Sequence, residues 1–120
     1  GEEASKLLQA IATHDSKASA GYYLKQARQY LSDLRSSLAE ISRVCKIGSV
    51  ATFVVQDSYY KDVPIRLADI CESELRLLGW GDAIKQPFVV RRSLTSLNRA
   101  AQLYTKGQVN ETVLTVRRES

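Results

Sequence analysis

The spacing of hydrophobic residues changes near residue 48, from a helical period to a continuous run. Over residues 22–46, apolar side chains recur at steps of three and four, which predicts one long amphipathic helix; they are Leu24, Ala27, Leu31, Leu34, Leu38, Ile41 and Cys45. Residues 49–56 (SVATFVVQ) are apolar throughout their centre and rich in β-branched residues. That run predicts a strand buried on both faces of a mostly parallel sheet. A coiled coil is the alternative interpretation of the helix, but a helix lying on a sheet fits the adjoining strand better.

The first 21 residues predict a helix followed by a loop. Residues 4–12 have apolar side chains at helical spacing, namely Leu7, Leu8 and Ile11. Residues 13–21 are rich in small and polar side chains, which is typical of a loop. This helix and loop could lie at the periphery of a single domain that comprises residues 1–120.

A helix and two strands are predicted after the hydrophobic run. The helix begins near Pro64, whose missing N–H costs nothing in a first turn, and ends at Gly79. Residues 84–91 and 112–117 predict an antiparallel pair of strands, joined by a long loop over residues 92–110. The succession of helix, buried strand and helix is the repeating unit of a doubly wound α/β sheet.

Composition is that of an ordinary soluble globular domain, with 44% hydrophobic and 25% charged residues. The longest apolar run is too short to span a bilayer and no signal peptide is visible, so a cytoplasmic location is expected. Cys45 and Cys71 occupy apolar helical positions, which favours reduced core thiols over a disulfide. Because His14 is the only histidine, no metal site is expected. Trp80 follows a helix-ending glycine and is predicted to close the core there.

Basic residues are concentrated in one segment. Residues 83–110 contain five basic residues and no acidic one, so that the rest of the chain has a net charge of −1 out of the total of +4. This concentration indicates a surface that faces a polyanion, and a loop that only confers solubility is the alternative. The basic-loop candidates for nucleic-acid contact are Arg91, Arg92, Asn98, Arg99 and Lys106.

A second candidate site follows the predicted buried strand. In open α/β sheets, ligands bind beyond the carboxyl ends of the strands. The polar run at this position is Asp57, Ser58, Tyr59, Tyr60 and Lys61. Its aromatic rings could stack on a nucleic-acid base while the lysine contacts a phosphate. The alternative is a polar turn in which Asp57 or Asp62 caps the next helix.

Several passages resemble methyltransferases when they are taken in order. Residues 43–48 (RVCKIG), which lead into the strand, are similar to the RVLKPGG passage of class I methyltransferases. Residues 54–62 (VVQDSYYKD) resemble bacterial DNA modification methylases that methylate amino groups, and so do the later RRS and SLNR passages. The resemblance extends over residues 22–118. It implies the C-terminal half of a Rossmann-like α/β fold: one buried parallel strand plus an antiparallel tail pair, two main helices and a short N-terminal helix.

The resemblance also implies a function for the complete enzyme. Such enzymes transfer a methyl group from S-adenosylmethionine to adenine-N6 or cytosine-N4 in DNA. Their glycine-rich cofactor turn and their Pro-Pro-aromatic motif have no counterpart here, since Pro64 and Pro87 stand alone. We therefore expect a fragment or subunit that completes the sheet and contributes DNA-facing residues, with no catalytic residue, no bound cofactor and no activity of its own.

Two other functional classes remain open. One is a non-enzymatic α/β interaction module that self-associates and binds nucleic acid or a partner subunit. The other is a class I methyltransferase that acts on RNA or a small molecule. In each case the edge of the hydrophobic strand requires a cover, because long exposed apolar edges promote aggregation. The candidates for this cover are the other half of the enzyme, a second copy of the chain, or the N-terminal helix, and we expect the isolated chain to self-associate.

Overall fold

The computed structural model describes residues 1–13, 17–90 and 109–120. Its helices are α1 (Glu2–Ala12), α2 (Lys17–Val44) and α3 (Leu67–Leu77), and its strands are β1 (Val50–Gln56), β2 (Ser58–Tyr60), β3 (Val63–Ile65), β4 (Ile84–Val90) and β5 (Val109–Arg117). This mixed α/β architecture confirms the predicted fold class. Among the described helices, none combines the length and the apolar character needed to cross a membrane.

The main sheet has three strands in the order β1-β5-β4. Strand β5 lies in the middle and is antiparallel to both neighbours, so β1 and β4 run in the same direction. The predicted antiparallel tail pair is therefore confirmed as β4 and β5. Strand β1, in contrast, is an edge strand of this sheet, since β5 is its one partner among the described residues.

Only one face of the sheet is covered by the described helices. Along β1, half-buried and exposed residues alternate, and Val50 and Val54 are 64% and 60% exposed. The alternate residues, such as Phe53, pack with the core residues of α2 and α3. The sequence predicted burial on both faces, whereas the described residues cover one. The reason is that both helices adjacent to β1 in the sequence pack on the same side, which the composition of the strand cannot reveal.

The core lies between this covered face and the helices. Its buried members are Leu38 of α2, Cys71 and Leu75 of α3, Leu114 and Val116 of β5, and Trp80. The indole Nε1 of Trp80 donates a hydrogen bond of 2.7 Å to Ser42 Oγ, and the Arg118 guanidinium donates to the carbonyl groups of Ser42 and Cys45 at the end of α2. Trp80, which follows Gly79 at the end of α3, is thus buried in the core, as predicted. Its hydrogen bond to Ser42 also links it to the end of α2.

Two predicted helix starts are wrong. Helix α2 begins at Lys17, inside the stretch predicted as a loop, and α3 begins at Leu67 rather than near Pro64. Pro64 instead lies in β3, which pairs with β2. A proline is tolerated in a strand that has only one neighbour, because its missing N–H interrupts no second ladder. The predicted end of α3 is confirmed, since Gly79 has a φ of +94°, a conformation that favours glycine.

Helix α1 is packed into the domain. Ile11 is fully buried, and Ala4 and Leu7 are nearly so, in a second cluster with Tyr60 and Ile70. Helix α1 therefore packs against α2 and α3.

A buried carboxylate links α2 to α3. Glu74 of α3 accepts a hydrogen bond of 2.8 Å from Arg35 Nε and one of 2.6 Å from the Gly1 ammonium. Burial on its own would raise the pKa of Glu74, but these hydrogen bonds and the two positive charges outweigh it and lower the pKa. Glu74 is therefore charged at neutral pH and holds the helices together.

Both cysteines are free, in line with the prediction of reduced thiols. Burial, with a contribution from the charge of Glu74, raises the pKa of the Cys71 thiol to about 11. Because the thiolate is the reactive form, we expect Cys71 in the folded protein to resist an aromatic disulfide reagent near about pH 8 and half-buried Cys45 to react first. A thiol titration checks this expectation before and after unfolding. The Cys45→Ala variant is the control, and a fast reaction of that folded variant would contradict the prediction.

Candidate functional site

The polar run after β1 folds into a small hairpin. Strand β1 ends at Gln56, and β2 and β3 then pair antiparallel with Tyr59 opposite Pro64. Lys61 sits in the turn with a φ of +54°. The sequence predicted a ligand-facing edge here, with a polar turn as the alternative, and a hairpin was not predicted. The signal for a hairpin was the pair of short segments rich in aromatic and apolar residues on either side of Lys61, Ser58–Tyr60 and Val63–Ile65. The positive φ of Lys61 fits a two-residue hairpin turn, because such turns require positive φ values.

The two adjacent tyrosines of β2 lie in different environments. Tyr60 is 6% exposed, and its ring stacks on that of Tyr23 with 3.9 Å between centroids and 16° between planes. Burial raises the pKa of Tyr23, and the proximity of Tyr60 adds to this shift. Tyr59, in contrast, is 58% exposed. Of this pair, Tyr59 is therefore the ring available to an incoming ligand, whereas Tyr60 anchors the hairpin to α2.

The remaining residues of the run lie around this stack. The Lys61 Nζ atom lies 5.8 Å from the centroid of the Tyr60 ring, within the range of a cation–π interaction. The Oδ1 atom of Asp57 is buried and has no hydrogen-bond partner among the described residues. A buried carboxylate oxygen without a donor is costly. A donor for this oxygen would therefore have to come from outside the described residues.

A cleft of about 450 Å³ opens beside the carboxyl end of β1. It is lined by Leu7, Ile11, Tyr23, Gln26, Ala27, Tyr30, Leu31, Gln56, Ser58, Ile65 and Leu67. Its volume and its mixture of apolar walls with a few polar groups are those of a small-molecule site. Of the five predicted edge residues, Ser58 lines the cleft. The residues that α1 and α2 contribute were not predicted, because helical spacing marks an apolar face of a helix without showing which part of that face stays uncovered.

The predicted basic loop lies outside the described residues: Arg91, Arg92, Asn98, Arg99 and Lys106. Lys85, the first basic residue of the same segment, is described. Its Nζ atom lies 2.6 Å from Asp69 Oδ1 and 2.9 Å from Glu72 Oε1. Burial lowers the pKa of Lys85, but the hydrogen bonds and charges of these carboxylates raise it by more. Lys85 therefore ties β4 to α3.

The described residues do not form a cofactor cradle of the glycine-rich kind. Gly48 precedes β1, and Gly79 and Gly81 lie between α3 and β4, so none of these glycines follows a strand of the main sheet. Nor do the described residues bring together three or more His, Cys, Asp or Glu side chains that could hold a metal ion.

One solved structure shares this arrangement of elements. It is a candidate DNA modification methylase from Thermus thermophilus, which superimposes with a TM-score of 0.56 at 16% sequence identity. This chain therefore has the fold of the matched part of that protein. The match covers 95% of this chain and 50% of that one, so the chain spans about half the length of the methylase. Neither a scan against protein-family models nor a search of curated proteins finds a significant match.

Proposed function

We propose that this chain is one part of a DNA amino-methyltransferase, acting on adenine-N6 or cytosine-N4, and that a second polypeptide segment completes the enzyme. The observation that carries the proposal is the three-stranded sheet in the order β1-β5-β4, with its reversed central strand. Nearly the whole chain shares this fold with half of a candidate DNA modification methylase. The two passages that resemble methyltransferases lie on either side of the centre of β1: residues 43–48 precede the strand, and residues 54–62 begin in its last three residues.

We propose that cofactor binding and catalysis belong to the other segment, because the described residues lack the motifs for both. They do not fit S-adenosylmethionine, because no glycine-rich turn follows a strand of the main sheet. Nor do they include a Pro-Pro-aromatic motif, since Pro64 and Pro87 stand alone within β3 and β4. The methyl donor and the groups that act on the base therefore belong to the other segment. We propose that this chain completes the sheet and contacts DNA in the cytoplasm, without membrane attachment.

Two groups of residues would face the DNA. At the carboxyl end of β1, exposed Tyr59 can stack on a base, and Ser58 lines the adjoining cleft. The basic loop would bind phosphates through its arginines, which positions DNA without reading its sequence. This second assignment rests on the charge of residues 83–110 alone.

The DNA-binding role predicts a charge effect that depends on position. We expect the Arg91→Ala/Arg92→Ala/Arg99→Ala variant to bind duplex DNA more weakly and to lower the slope of log affinity against log salt by about 3, because each lost phosphate contact contributes about 1. Fluorescence anisotropy between about 50 and 200 mM salt measures both quantities.

The matched control removes three positive charges near the opposite end of β1. Arg43→Ala/Lys46→Ala/Arg117→Ala changes exposed residues there and should leave the salt slope nearly unchanged. Equal effects of the two triple variants would contradict the DNA-facing role of the loop. Micromolar binding of S-adenosylmethionine by the chain alone, measured by calorimetry, would contradict the proposed division of labour.

A further inference from the structure

The first half of α2 exposes a polar surface to solvent. Its members are spaced by three or four residues, so that neighbouring side chains lie on one side of the helix. They are Tyr22, Lys25, Arg28, Gln29 and Ser32, here called the α2 polar face, and all of them are exposed. From its first to its last residue the helix rises by about 15 Å. Residues 16–32 contain three basic residues and no acidic one, so this part of α2 is positively charged.

The two cations of the α2 polar face differ from the other basic side chains described on the helices. Each of the others has a nitrogen between 2.8 and 3.5 Å from a carboxylate oxygen; these are Lys6, Arg35, Arg43 and Arg76. Within the described ranges, no carboxylate pairs with Lys25 or Arg28 in this way. Asp33, the next acidic residue along α2, instead accepts a hydrogen bond of 2.9 Å from Gln29 Nε2. Both cations are therefore available to an anion from another molecule.

The residues outside the described ranges do not neutralise this charge. Residues 91–108 contain four basic residues and no acidic one, so Lys25 and Arg28 would repel them. Residues 14–16 contain one acidic residue, Asp15, which can neutralise at most one of the two cations. A Cβ added at Gly21, one turn before Lys25, would meet no other atom within 4 Å, so this end of the α2 polar face is open.

The chemistry of the α2 polar face fits phosphate groups better than a lipid surface. Phosphate oxygens accept hydrogen bonds from ammonium, guanidinium, carboxamide and hydroxyl groups, and this face carries all four. Helices that bind membrane surfaces place large apolar side chains beside their cations. The leucines next to this face, Leu24 and Leu31, are instead packed in the cluster of Tyr60 and Ile70. A phosphate backbone is therefore the polyanion that this surface fits.

The α2 polar face lies beside the hairpin that carries Tyr59. Tyr23 follows Tyr22 in α2, and its ring stacks on that of Tyr60 with 3.9 Å between the centroids. Tyr60 is in turn the neighbour of Tyr59 in β2. One DNA molecule can therefore contact the hairpin and α2 together.

We propose that the α2 polar face binds the phosphate backbone of duplex DNA, as a contact separate from the basic loop. Lys25 and Arg28 bind phosphates through charge, and the polar groups of Tyr22, Gln29 and Ser32 form hydrogen bonds to the same backbone. Such contacts position the duplex without reading its sequence. This inference rests on the proposed function for the identity of the polyanion, and it goes further by assigning a DNA contact to α2.

Removal of the two unpaired cations tests the proposal on the full chain. We expect Lys25→Ala/Arg28→Ala to weaken the binding of duplex DNA by about 10-fold or more near about 100 mM salt. The slope of log affinity against log salt should fall by about 2, because each lost phosphate contact contributes about 1. Fluorescence anisotropy over a series of salt concentrations measures both quantities.

The matched control removes one lysine and one arginine that are already paired. Lys6→Ala/Arg43→Ala makes the same chemical change at exposed helical positions, where each cation lies beside a carboxylate. We expect its salt slope to stay close to that of the unmodified chain. Equal effects of the two double variants would overturn the proposal, because they would report net charge alone.

Photo-cross-linking locates the contact on α2. A benzophenone amino acid replaces Tyr22, or Val44 as an exposed control position on the same helix. We expect cross-links to duplex DNA from position 22 and none from position 44. The absence of a DNA cross-link at position 22 would refute a contact at this face.

A vesicle assay tests the alternative polyanion. Vesicles of phosphatidylcholine with about 30% phosphatidylserine present an anionic lipid surface. We expect no vesicle binding that depends on Lys25 and Arg28. Vesicle binding that is lost in Lys25→Ala/Arg28→Ala, with DNA binding unchanged, would overturn the proposal in favour of a lipid surface.

This inference and the proposed function can fail separately. DNA binding that weakens in the Arg91→Ala/Arg92→Ala/Arg99→Ala variant but not in Lys25→Ala/Arg28→Ala would refute the α2 contact and leave the proposed function intact. DNA binding that depends on Lys25 and Arg28, together with micromolar binding of S-adenosylmethionine by the chain alone, would refute the proposed division of labour and support the α2 contact.

Discussion

Replacing Trp80 with alanine is expected to lower the free energy of unfolding by about 3–5 kcal/mol. Trp80 is 2% exposed and packs in the core formed by α2, α3 and β5. The substitution creates a cavity and also removes the hydrogen bond that the indole donates to Ser42 Oγ. Urea unfolding followed by circular dichroism measures the effect, because Trp80 is the sole tryptophan and its fluorescence is lost in the variant.

Two further variants separate packing from hydrogen bonding. Trp80→Phe keeps much of the ring volume and should cost less than Trp80→Ala. Part of its loss, about 0.5–1.5 kcal/mol, comes from the hydrogen bond that Ser42 Oγ no longer accepts, while the Ser42 hydroxyl still donates to the Leu38 carbonyl. Tyr22→Ala, at an aromatic residue that is 72% exposed, should change stability by less than about 1 kcal/mol. If Trp80→Ala were as mild as Tyr22→Ala, the core assignment of Trp80 would be wrong.

Leu75→Ala is expected to lower the free energy of unfolding by about 2–5 kcal/mol. Leu75 is fully buried between α3 and the sheet, so the lost methyl groups leave a cavity that the surrounding strands cannot fill. Thermal and urea unfolding by circular dichroism provide the measurement.

The same helix supplies a control with the same chemical change. Leu77 is 69% exposed, and Leu77→Ala should cost less than about 1 kcal/mol. Because both changes replace leucine with alanine in α3, the difference between them reports burial rather than helix propensity. Similar losses for the two variants would contradict the orientation of α3 on the sheet.

The position of the candidate site could be predicted from the sequence, but its hairpin and the burial of Tyr60 could not. Asp57 to Lys61 could be placed at the carboxyl end of β1 because a polar run follows an apolar one. The hairpin could not, since Pro64 fits a helical first turn as well as a strand with one neighbour. The burial of Tyr60 was equally hidden, because its partner Tyr23 lies on α2 and comes into contact only when the chain is folded.

The amino-acid sequence by itself determined the long helix, the hydrophobic strand, the tail pair and the glycine that ends α3, because each depends on local spacing or on backbone conformation. Only the tertiary structure decided that α2 and α3 share one face of the sheet, so that Val50 and Val54 remain exposed and the outer edge of β1 has no described partner. A run of apolar residues encodes the need for burial. Which neighbour supplies that burial depends on contacts between residues distant in the sequence.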